Sequence, residues 1–266
     1  MEAIADFATP IPIAVVAQLM GIPESDHQLL LDWSHAIVRV FDINATRRGA
    51  GSGGNGGNRV RRLHACDRPD TEVDPRRRPR VRIGVGGRAA SPRKIWWPPA
   101  SWSSTPATRR RSTASANGLL ALARHPHEFA RLRECAAPST ATEELLRYDT
   151  PLQMFERWVL EDLEWNGVEL RTGDKVGLLY GSANHDPEVF VEPATLDITR
   201  EDNAHISFGL GTHFRLGAPL ARVELEIAFA ALARRFRSIR LVDDEPSRQP
   251  SLVFRGVTSL EVEVIP

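Results

Sequence analysis

The sequence predicts a mainly α-helical protein with a small β part, interrupted by a long segment of different composition. Apolar residues recur at helical spacing near both ends of the chain, as in amphipathic helices. Shorter alternating runs between residues 153 and 180, and again after residue 239, indicate strands. With 266 residues, 42% of them hydrophobic, the chain can bury one substantial core or two small ones.

Residues 1–43 are expected to fold into helices. Pro10 and Pro12 suit the first turn of a helix, where the missing N–H does no harm. The apolar residues after them keep a helical spacing as far as Gly21, which is a good helix stop. A second helix is predicted over residues 24–41, with its apolar side chains on one face.

Residues 44–115 are predicted to be disordered. Gly/Asn-rich runs, arginine clusters and scattered prolines replace any apolar period, so the segment cannot bury enough surface to offset its conformational entropy. Between Arg47 and Arg111 there are 17 basic and four acidic residues, a net charge of +13, and the rest of the chain carries −13. The overall net charge of +0 therefore conceals two different compositions.

Helices are predicted to return in the third region, residues 116–266. One helix contains Leu119 and is broken at His125-Pro126, and the next contains Phe129. Another is expected over residues 140–148, with Thr140 as a candidate cap. A long helix is predicted over residues 216–236, and its buried stripe is expected to consist of Leu220, Val223, Ile227, Ala231 and Phe236.

The strands of this third region are predicted from alternation. Residues 153–160 and 163–170 are expected to form a hairpin around Glu161-Asp162. A further strand is expected over residues 175–180, and short strands from Ile239 onward.

Several classes of protein are not favoured. No apolar run approaches the roughly 18 residues of a membrane span, and the first residues lack the pattern of a secretory signal. Cys66 and Cys135 have no spacing typical of a zinc site and are interpreted as reduced thiols. We therefore expect a soluble, cytoplasmic protein without a membrane partner.

The run from Phe208 to Gly217 carries the most specific motif, Phe-Gly-Leu-Gly-Thr-His-Phe-Arg-Leu-Gly. It resembles the haem-binding loop of bacterial cytochromes P-450, whose signature is Phe-Gly-x-Gly-x-His-x-Cys-x-Gly. Arg215 occupies the position of the cysteine that ligates iron. Glycine allows a backbone to pass close to a flat macrocycle. The resemblance implies cofactor-binding roles for Phe208, Gly209, Gly211, His213 and Gly217, with His213 at a haem propionate.

Upstream motifs resemble the same family in the same order. Glu144 and Arg147 match its Glu-x-x-Arg, a pair that braces the core behind the haem and that can form because i and i+3 share a helix face. Arg157 matches an arginine that binds a haem propionate. The run Ala-Asn-His-Asp-Pro-Glu-Val-Phe over residues 183–190 resembles a further family motif, although His185 replaces the usual arginine.

The resemblance implies an incomplete P-450-like fold and, by descent, a haem-dependent monooxygenase. Such an enzyme oxidises a small organic substrate with O₂ and receives electrons from a ferredoxin-type reductase. A cysteine thiolate on iron favours O–O cleavage, whereas the arginine guanidinium stays protonated and has no lone pair to offer. We therefore expect haem binding to be impaired and the chain to be a pseudogene-like remnant with no catalytic residue and no metal ligand at position 215.

The family's long central helix, with its Ala-Gly-x-Glu/Asp-x-Thr motif, is expected just before residue 117. Residues 104–113 are Ser-Thr-Pro-Ala-Thr-Arg-Arg-Arg-Ser-Thr instead, so this helix is expected to be absent. Codons for this run, shifted by one base, can encode Leu-Asn-Ala-Gly-His-Glu-Ala-Thr-Val-Asn. We therefore predict that residues 44–115 are translated out of frame.

Two alternatives remain open at this point. The chain could be a non-catalytic binder of haem or of another small ligand. The basic 44–115 segment could also bind nucleic acid through phosphates, although its three tryptophans make this the less favoured interpretation.

Overall fold

The computed structural model describes residues 1–28, 30–32, 101–134, 138–210 and 217–266. The prediction of a mainly α protein with a small β part is confirmed. A π-helical turn over Ile4–Ala8 precedes the α-helices, which are α1 (Pro10–Met20), α2 (Ser101–Arg124), α3 (Pro126–Glu134), α4 (Pro138–Tyr148), α5 (Tyr180–Ala183) and α6 (Ala218–Arg235). The strands are β1 (Met154–Trp158), β2 (Leu163–Trp165), β3 (Val168–Leu170), β4 (Lys175–Leu179), β5 (Ser238–Leu241) and β6 (Val262–Ile265).

Helix α1 has the predicted bounds. It begins at Pro10 and ends before Gly21, whose φ of 66° lies in the left-handed region that glycine adopts easily. The second predicted helix opens with a 3₁₀ turn over Glu24–Asp26. Most of its predicted length, to residue 41, lies outside the described residues.

Helix α2 corrects two predictions. It spans 24 residues from Ser101 to Arg124, so the predicted disorder is wrong for residues 101–115, and a long helix does precede residue 117. Local propensity is a weak guide where a helix packs against its neighbours, and here residues 111–123 are all buried. Residues 44–100, which make up most of the predicted disordered segment, lie outside the described residues.

The buried side chains in the middle of α2 are unusually polar. Arg111, Ser112, Thr113 and Ser115 are all buried. Arg111 forms an ion pair with Glu224 of α6, a carboxylate whose pKa is raised by burial in spite of the arginine. Nε of Arg110 has no hydrogen-bond partner among the described residues, and burial lowers the pKa of this guanidinium to about 10. The middle of α2 is therefore buried like a core helix, although its side chains are of the polar kinds usually found on a protein surface.

Helices α3 and α4 follow the predictions with one correction. The break at His125-Pro126 is present, and Phe129 is buried on α3 as expected. Helix α4 starts at Pro138, so Thr140 lies inside the helix and is not its cap. Proline suits the first helical position because its fixed φ is already helical.

The strands pair differently from the prediction. β1 pairs antiparallel with β4, from Met154 opposite Leu179 to Trp158 opposite Lys175. The hairpin joins β2 to β3 through Asn166-Gly167, with φ of 50° and 79°, so the predicted turn at Glu161-Asp162 is wrong. Asn-Gly is the preferred pair for a two-residue turn with both φ values positive, and this signal outweighs the alternation used in the prediction.

Helix α6 has its predicted position but a different buried face. Val223 and Ile227, placed in the buried stripe by the sequence, are exposed. The core side of α6 instead contains several alanines and Glu224 next to its larger apolar residues, a pattern that an apolar-only stripe cannot find. The predicted strands of the tail are present as the antiparallel pair β5–β6.

The main hydrophobic core lies between α2, α3, α4, α6 and the β5–β6 pair. Its largest fully buried apolar side chains include Leu119, Phe129, Leu225, Phe229 and Leu260. Gly118 of α2 faces Phe229 of α6 so closely that a Cβ there would lie 2.5 Å from Cζ of the ring. This contact fixes the distance between the two helices.

Candidate functional site

Glu144 and Arg147 form the ion pair predicted from their spacing. Nε of Arg147 donates to Oε2 of Glu144 at 2.7 Å, and Nη2 donates to Oε1 at 2.8 Å. Both side chains are 0% exposed. A two-pronged contact of this kind is the strongest form of a protein ion pair, and here it stands at the end of α4 that leads toward β1.

The remaining donors of Arg147 hold the chain that follows α5. Nη1 donates to the carbonyl oxygens of Asn184 and Pro193, both at 2.8 Å, and Nη2 reaches Thr195 O at 3.2 Å. The guanidinium also lies 5.2 Å from the centroid of the Phe190 ring. The pair is therefore an anchor for residues 184–195.

Glu144 has further partners that its spacing from Arg147 does not indicate. Its oxygens accept hydrogen bonds from Arg200 Nε at 3.1 Å, Asn203 Nδ2 at 3.0 Å and the backbone N–H of Asp197 at 3.0 Å. These residues lie more than 50 positions along the chain, so no helical spacing could indicate them. A buried carboxylate that makes so many bonds is compensated for the loss of water.

Asn184 links this anchor to the segment before the glycine loop. The side chain is buried, and Nδ2 donates to Thr150 Oγ1 at 2.7 Å and to Ser207 Oγ at 2.9 Å. Its Oδ1 accepts the backbone N–H of Ile206 at 2.9 Å. Ser207 Oγ in turn donates to the carbonyl of Leu146 on α4 at 2.8 Å.

The structure describes only the two ends of the predicted haem loop. Phe208 packs against the main core, and Gly209 is buried with a φ of 77°. Gly217 is exposed and directly precedes α6, where its carbonyl accepts the N–H of Ala221 at 3.0 Å. Gly211, His213 and Arg215 lie outside the described residues.

Arg157 lies on β1, beside a second and smaller cluster of buried residues. It is half-buried, and Nη2 lies 3.5 Å from the hydroxyl of Tyr180, which belongs to that cluster. Its guanidinium lies 5.2 Å from the centroid of the Phe155 ring, and Nη1 donates to the carbonyl of Glu156 at 3.0 Å. A cation beside a phenol hydroxyl suits a carboxylate ligand.

These residues suit a haem only in part. Arg157 offers a cation to a propionate, and Gly209 adopts a backbone conformation that glycine favours. The resemblance, however, implies an iron donor at position 215, and the protonated guanidinium of an arginine there donates no electron pair. Within the described residues, no cluster of three or more His, Cys, Asp or Glu side chains could hold a metal ion. Arginine at the position that the resemblance assigns to the iron ligand does not fit a thiolate-bound haem.

Comparison with known proteins agrees with the family that the Glu144–Arg147 pair and the glycine loop resemble. The family model described as Cytochrome P450 matches residues 139–263. The biotin biosynthesis cytochrome P450 of Bacillus subtilis is 33% identical over 269 residues, which cover 98% of this chain and 67% of that relative. The chain belongs to the cytochrome P450 family. By descent, this P450 chain is related to haem-dependent monooxygenases, among them the steroid C26-monooxygenase of Rhodococcus jostii, to which it is 30% identical over 97% of its length.

Other relatives and solved structures support the assignment of the P450 fold. The polyketide biosynthesis cytochrome P450 PksS of Bacillus subtilis is 34% identical over 97% of this chain. P450BioI, solved in complex with an acyl carrier protein ligated to hexadec-9Z-enoic acid, has a TM-score of 0.74 and 29% identity over 99% of this chain and 69% of its own. Mycobacterium smegmatis CYP164A2 has a TM-score of 0.76 and 28% identity, over 98% and 69%.

The P450 chain spans only part of its relatives. It covers 64% of the length of PksS and 55% of the steroid C26-monooxygenase. Among the described helices, none is both long and apolar enough to cross a membrane.

Proposed function

We propose that this chain is an inactive remnant of a haem monooxygenase. Its ancestors oxidised a small organic substrate with O₂ and drew electrons from a ferredoxin-type reductase. The observation that carries the proposal is Arg215, in a loop that otherwise has the family's haem-binding pattern from Phe208 to Gly217. A permanent cation at this position removes the ligand through which sulfur supplies electron density to iron.

The described residues near the loop do not offer a free side chain that could replace cysteine as the iron ligand. His205 is the described histidine nearest to the loop in sequence, and both of its ring nitrogens are engaged. Nε2 lies 2.9 Å from a carboxylate oxygen of Glu143, and Nδ1 accepts the backbone N–H of Ser207 at 3.2 Å. Ligation of iron by this imidazole would require at least one of these contacts to break.

The test is the absorption spectrum of the reduced protein under carbon monoxide. We expect no thiolate-type Soret band from the natural chain after haem is added. The variant Arg215→Cys restores the donor and is the matched comparison, because nothing else in the loop changes. A thiolate-type band from the natural chain, with Arg215 confirmed by mass spectrometry, would overturn the proposal.

We further propose that residues 44–115 are encoded out of frame. The proposal is supported by α2, where Arg110 is largely buried with an unpartnered Nε and Arg111 is buried against Glu224. The shifted codons give alanine at position 110 and threonine at position 111, which removes both guanidinium groups. Sequencing the gene tests this directly. Codons 104–113 that yield no Ala-Gly-His-Glu motif in a neighbouring frame would contradict it.

A non-catalytic binder of haem or of another carboxylate ligand is the second candidate. Arg157 favours it, because a half-buried guanidinium beside the Tyr180 hydroxyl can hold a carboxylate without any bond to iron. Titration with haem distinguishes the two functions. Saturable binding that is lost in Arg157→Gln, without a thiolate-type spectrum, would support the binder.

A further inference from the structure

Arg110 and Arg157 lie on different elements and contact the same group of apolar side chains. The guanidinium of Arg110, on α2, lies 5.6 Å from the centroid of the Phe254 ring. That of Arg157, on β1, lies 5.2 Å from the centroid of the Phe155 ring. Both rings belong to the smaller cluster, which comprises the buried Leu152, Tyr180, Val253 and Phe254 and the half-buried Phe155 and Ile206. Two cations therefore contact one apolar cluster.

The hydroxyl of Tyr180 is a polar group that both arginines approach. Nη2 of Arg157 donates to this hydroxyl at 3.5 Å. Burial lowers the pKa of Arg110 to about 10, and the charge of Tyr180 acts on it in the opposite direction. Both guanidinium groups are therefore within electrostatic range of one hydroxyl.

Neither arginine has a carboxylate partner in the described part of the chain. No ion pair with Asp or Glu involves either of them there. Nε of Arg110 is buried and lacks a hydrogen-bond partner among the same residues. A cation taken out of water without an anion is unfavourable. An anion bound at this point would offset that cost.

The contacts with aromatic rings leave the guanidinium groups able to bind such an anion. A guanidinium that stacks on the face of a ring presents its N–H donors in its own plane, at its edge. These donors match the two oxygens of a carboxylate, and the charge strengthens the hydrogen bonds. Arg110 and Arg157 can therefore hold a carboxylate while they keep their contacts with Phe254 and Phe155.

The apolar surroundings favour an organic acid over an inorganic anion. Phe155 and Ile206 are partly exposed and pack against the buried members of the smaller cluster. Phosphate or sulfate would use the two cations alone. The apolar part of an organic acid would also cover these side chains, and the removal of apolar surface from water is favourable.

We propose that Arg110, Arg157 and the Tyr180 hydroxyl bind the carboxylate of an organic acid whose apolar part packs on the smaller cluster. The inference rests on the second candidate function in taking Arg157 as a residue that holds carboxylates, and it adds Arg110 to that site. It depends neither on haem nor on position 215. The origin of codon 110 does not affect it, because arginine is the residue that the chain contains.

The test is isothermal titration calorimetry of the full chain without haem, with octanoate as the probe. We expect saturable binding of octanoate and roughly tenfold weaker binding of octanamide, which has the same chain without the charge. Arg110→Leu should weaken octanoate binding by about tenfold, the effect of losing one charge-assisted hydrogen bond. Arg133→Leu, on the exposed side of α3, is the matched control and should bind octanoate like the natural chain.

Thermal unfolding separates binding from folding. Octanoate should raise the unfolding temperature of the natural chain, because it binds the folded state. The increase should be smaller in Arg110→Leu and in Arg157→Gln, even where the variant alone is as stable as the natural chain. An equal increase in the natural chain and in Arg110→Leu would overturn the role of Arg110.

The outcomes also distinguish this inference from the second candidate function. Octanoate binding that is lost in Arg157→Gln but unchanged in Arg110→Leu would overturn the inference and leave the candidate function in place. Octanoate binding that needs both arginines, without saturable binding of haem, would support the inference while haem binding fails. The absence of saturable octanoate binding, or equal binding of octanamide or of inorganic phosphate, would overturn the proposal.

Discussion

Glu144 and Arg147 are fully buried charges that are compensated by each other, by backbone groups and, for Glu144, by the side chains of Arg200 and Asn203. Their pairing follows from the i, i+3 spacing, so the sequence could predict it. The contacts of Glu144 with Arg200 and Asn203 could not be predicted, because the partners lie 56 and 59 residues away. The same holds for the ion pair of Glu143 and Arg222, which are 79 residues apart. Local spacing finds pairs on one helix, whereas the rest of the site depends on tertiary packing.

Arg147→Met should be strongly destabilising. It removes the donors of five hydrogen bonds and leaves the Glu144 carboxylate buried beside only part of its compensation, which typically costs about 3–5 kcal/mol. Urea unfolding followed by circular dichroism measures the change in free energy. Arg171→Met, at an exposed ion pair with Glu169, is the control and should cost no more than about 1 kcal/mol. A comparable loss in both variants would contradict the assigned role.

Glu143 should make stability depend on acid pH. Burial would raise the pKa of this carboxyl, but the hydrogen bonds and charges of His205 and Arg222 lower it to about 2. Because this value lies below the ordinary 4.5, the contribution of Glu143 is complete above pH 4.5 and is lost as pH falls toward 2. We expect Glu143→Gln to cost on the order of 2 kcal/mol at pH 7 after solvent screening, and progressively less below pH 4.5. Unfolding curves of both proteins at several pH values test this, and a difference independent of pH would refute it.

The elements were predictable where a local signal was strong. Gly21, Pro126 and Gly217 mark helix ends that the structure places at or next to the predicted residues. Alternation alone predicts a turn at Glu161-Asp162, whereas the structure has it at Asn166-Gly167, a pair that favours a two-residue turn between strands. Helix α2 could not be predicted, since its middle buries polar side chains that have no apolar period.

Gly118 fixes how closely α2 and α6 pack. In Gly118→Ala the new Cβ would lie 2.5 Å from the Phe229 ring, so we expect a loss of about 1–3 kcal/mol from overpacking. Alanine would otherwise favour the helix, which makes a loss attributable to the ring. Thermal unfolding of a double-mutant cycle with Phe229→Leu checks this. Additive effects of the two substitutions would show that the contact is not responsible.

Arg110 is an unfavourable residue for the place it occupies in α2. Arg110→Leu keeps apolar volume beside Phe254 and removes a buried guanidinium with an unpartnered Nε, so we expect stability to rise by about 1 kcal/mol. Chemical unfolding measures the shift. Arg133→Leu, on the exposed side of α3, is the control and should change stability by about 0.5 kcal/mol or less. A destabilised Arg110→Leu would weaken the out-of-frame proposal.

At the scale of the whole molecule, the sequence predicts the family but not how the helices and strands pack against one another. The glycine loop and the Glu-x-x-Arg pair are short, ordered motifs, and their resemblance to cytochromes P450 is confirmed by the relatives. The buried face of α6 and the partners of β1 depend on contacts between distant segments. A short motif can therefore indicate the family, whereas the contacts between distant segments require the folded structure.

The β1–β4 ladder has a practical consequence for anyone handling the protein. Among the described residues it is a ribbon of two strands, and Trp158 and Leu179, at its opposite ends, are both exposed. The outer rim of a two-stranded ribbon can pair with an extended peptide, including another copy of itself. The protein should therefore self-associate at high concentration. The substitution Leu179→Lys should reduce this association, which light scattering measures.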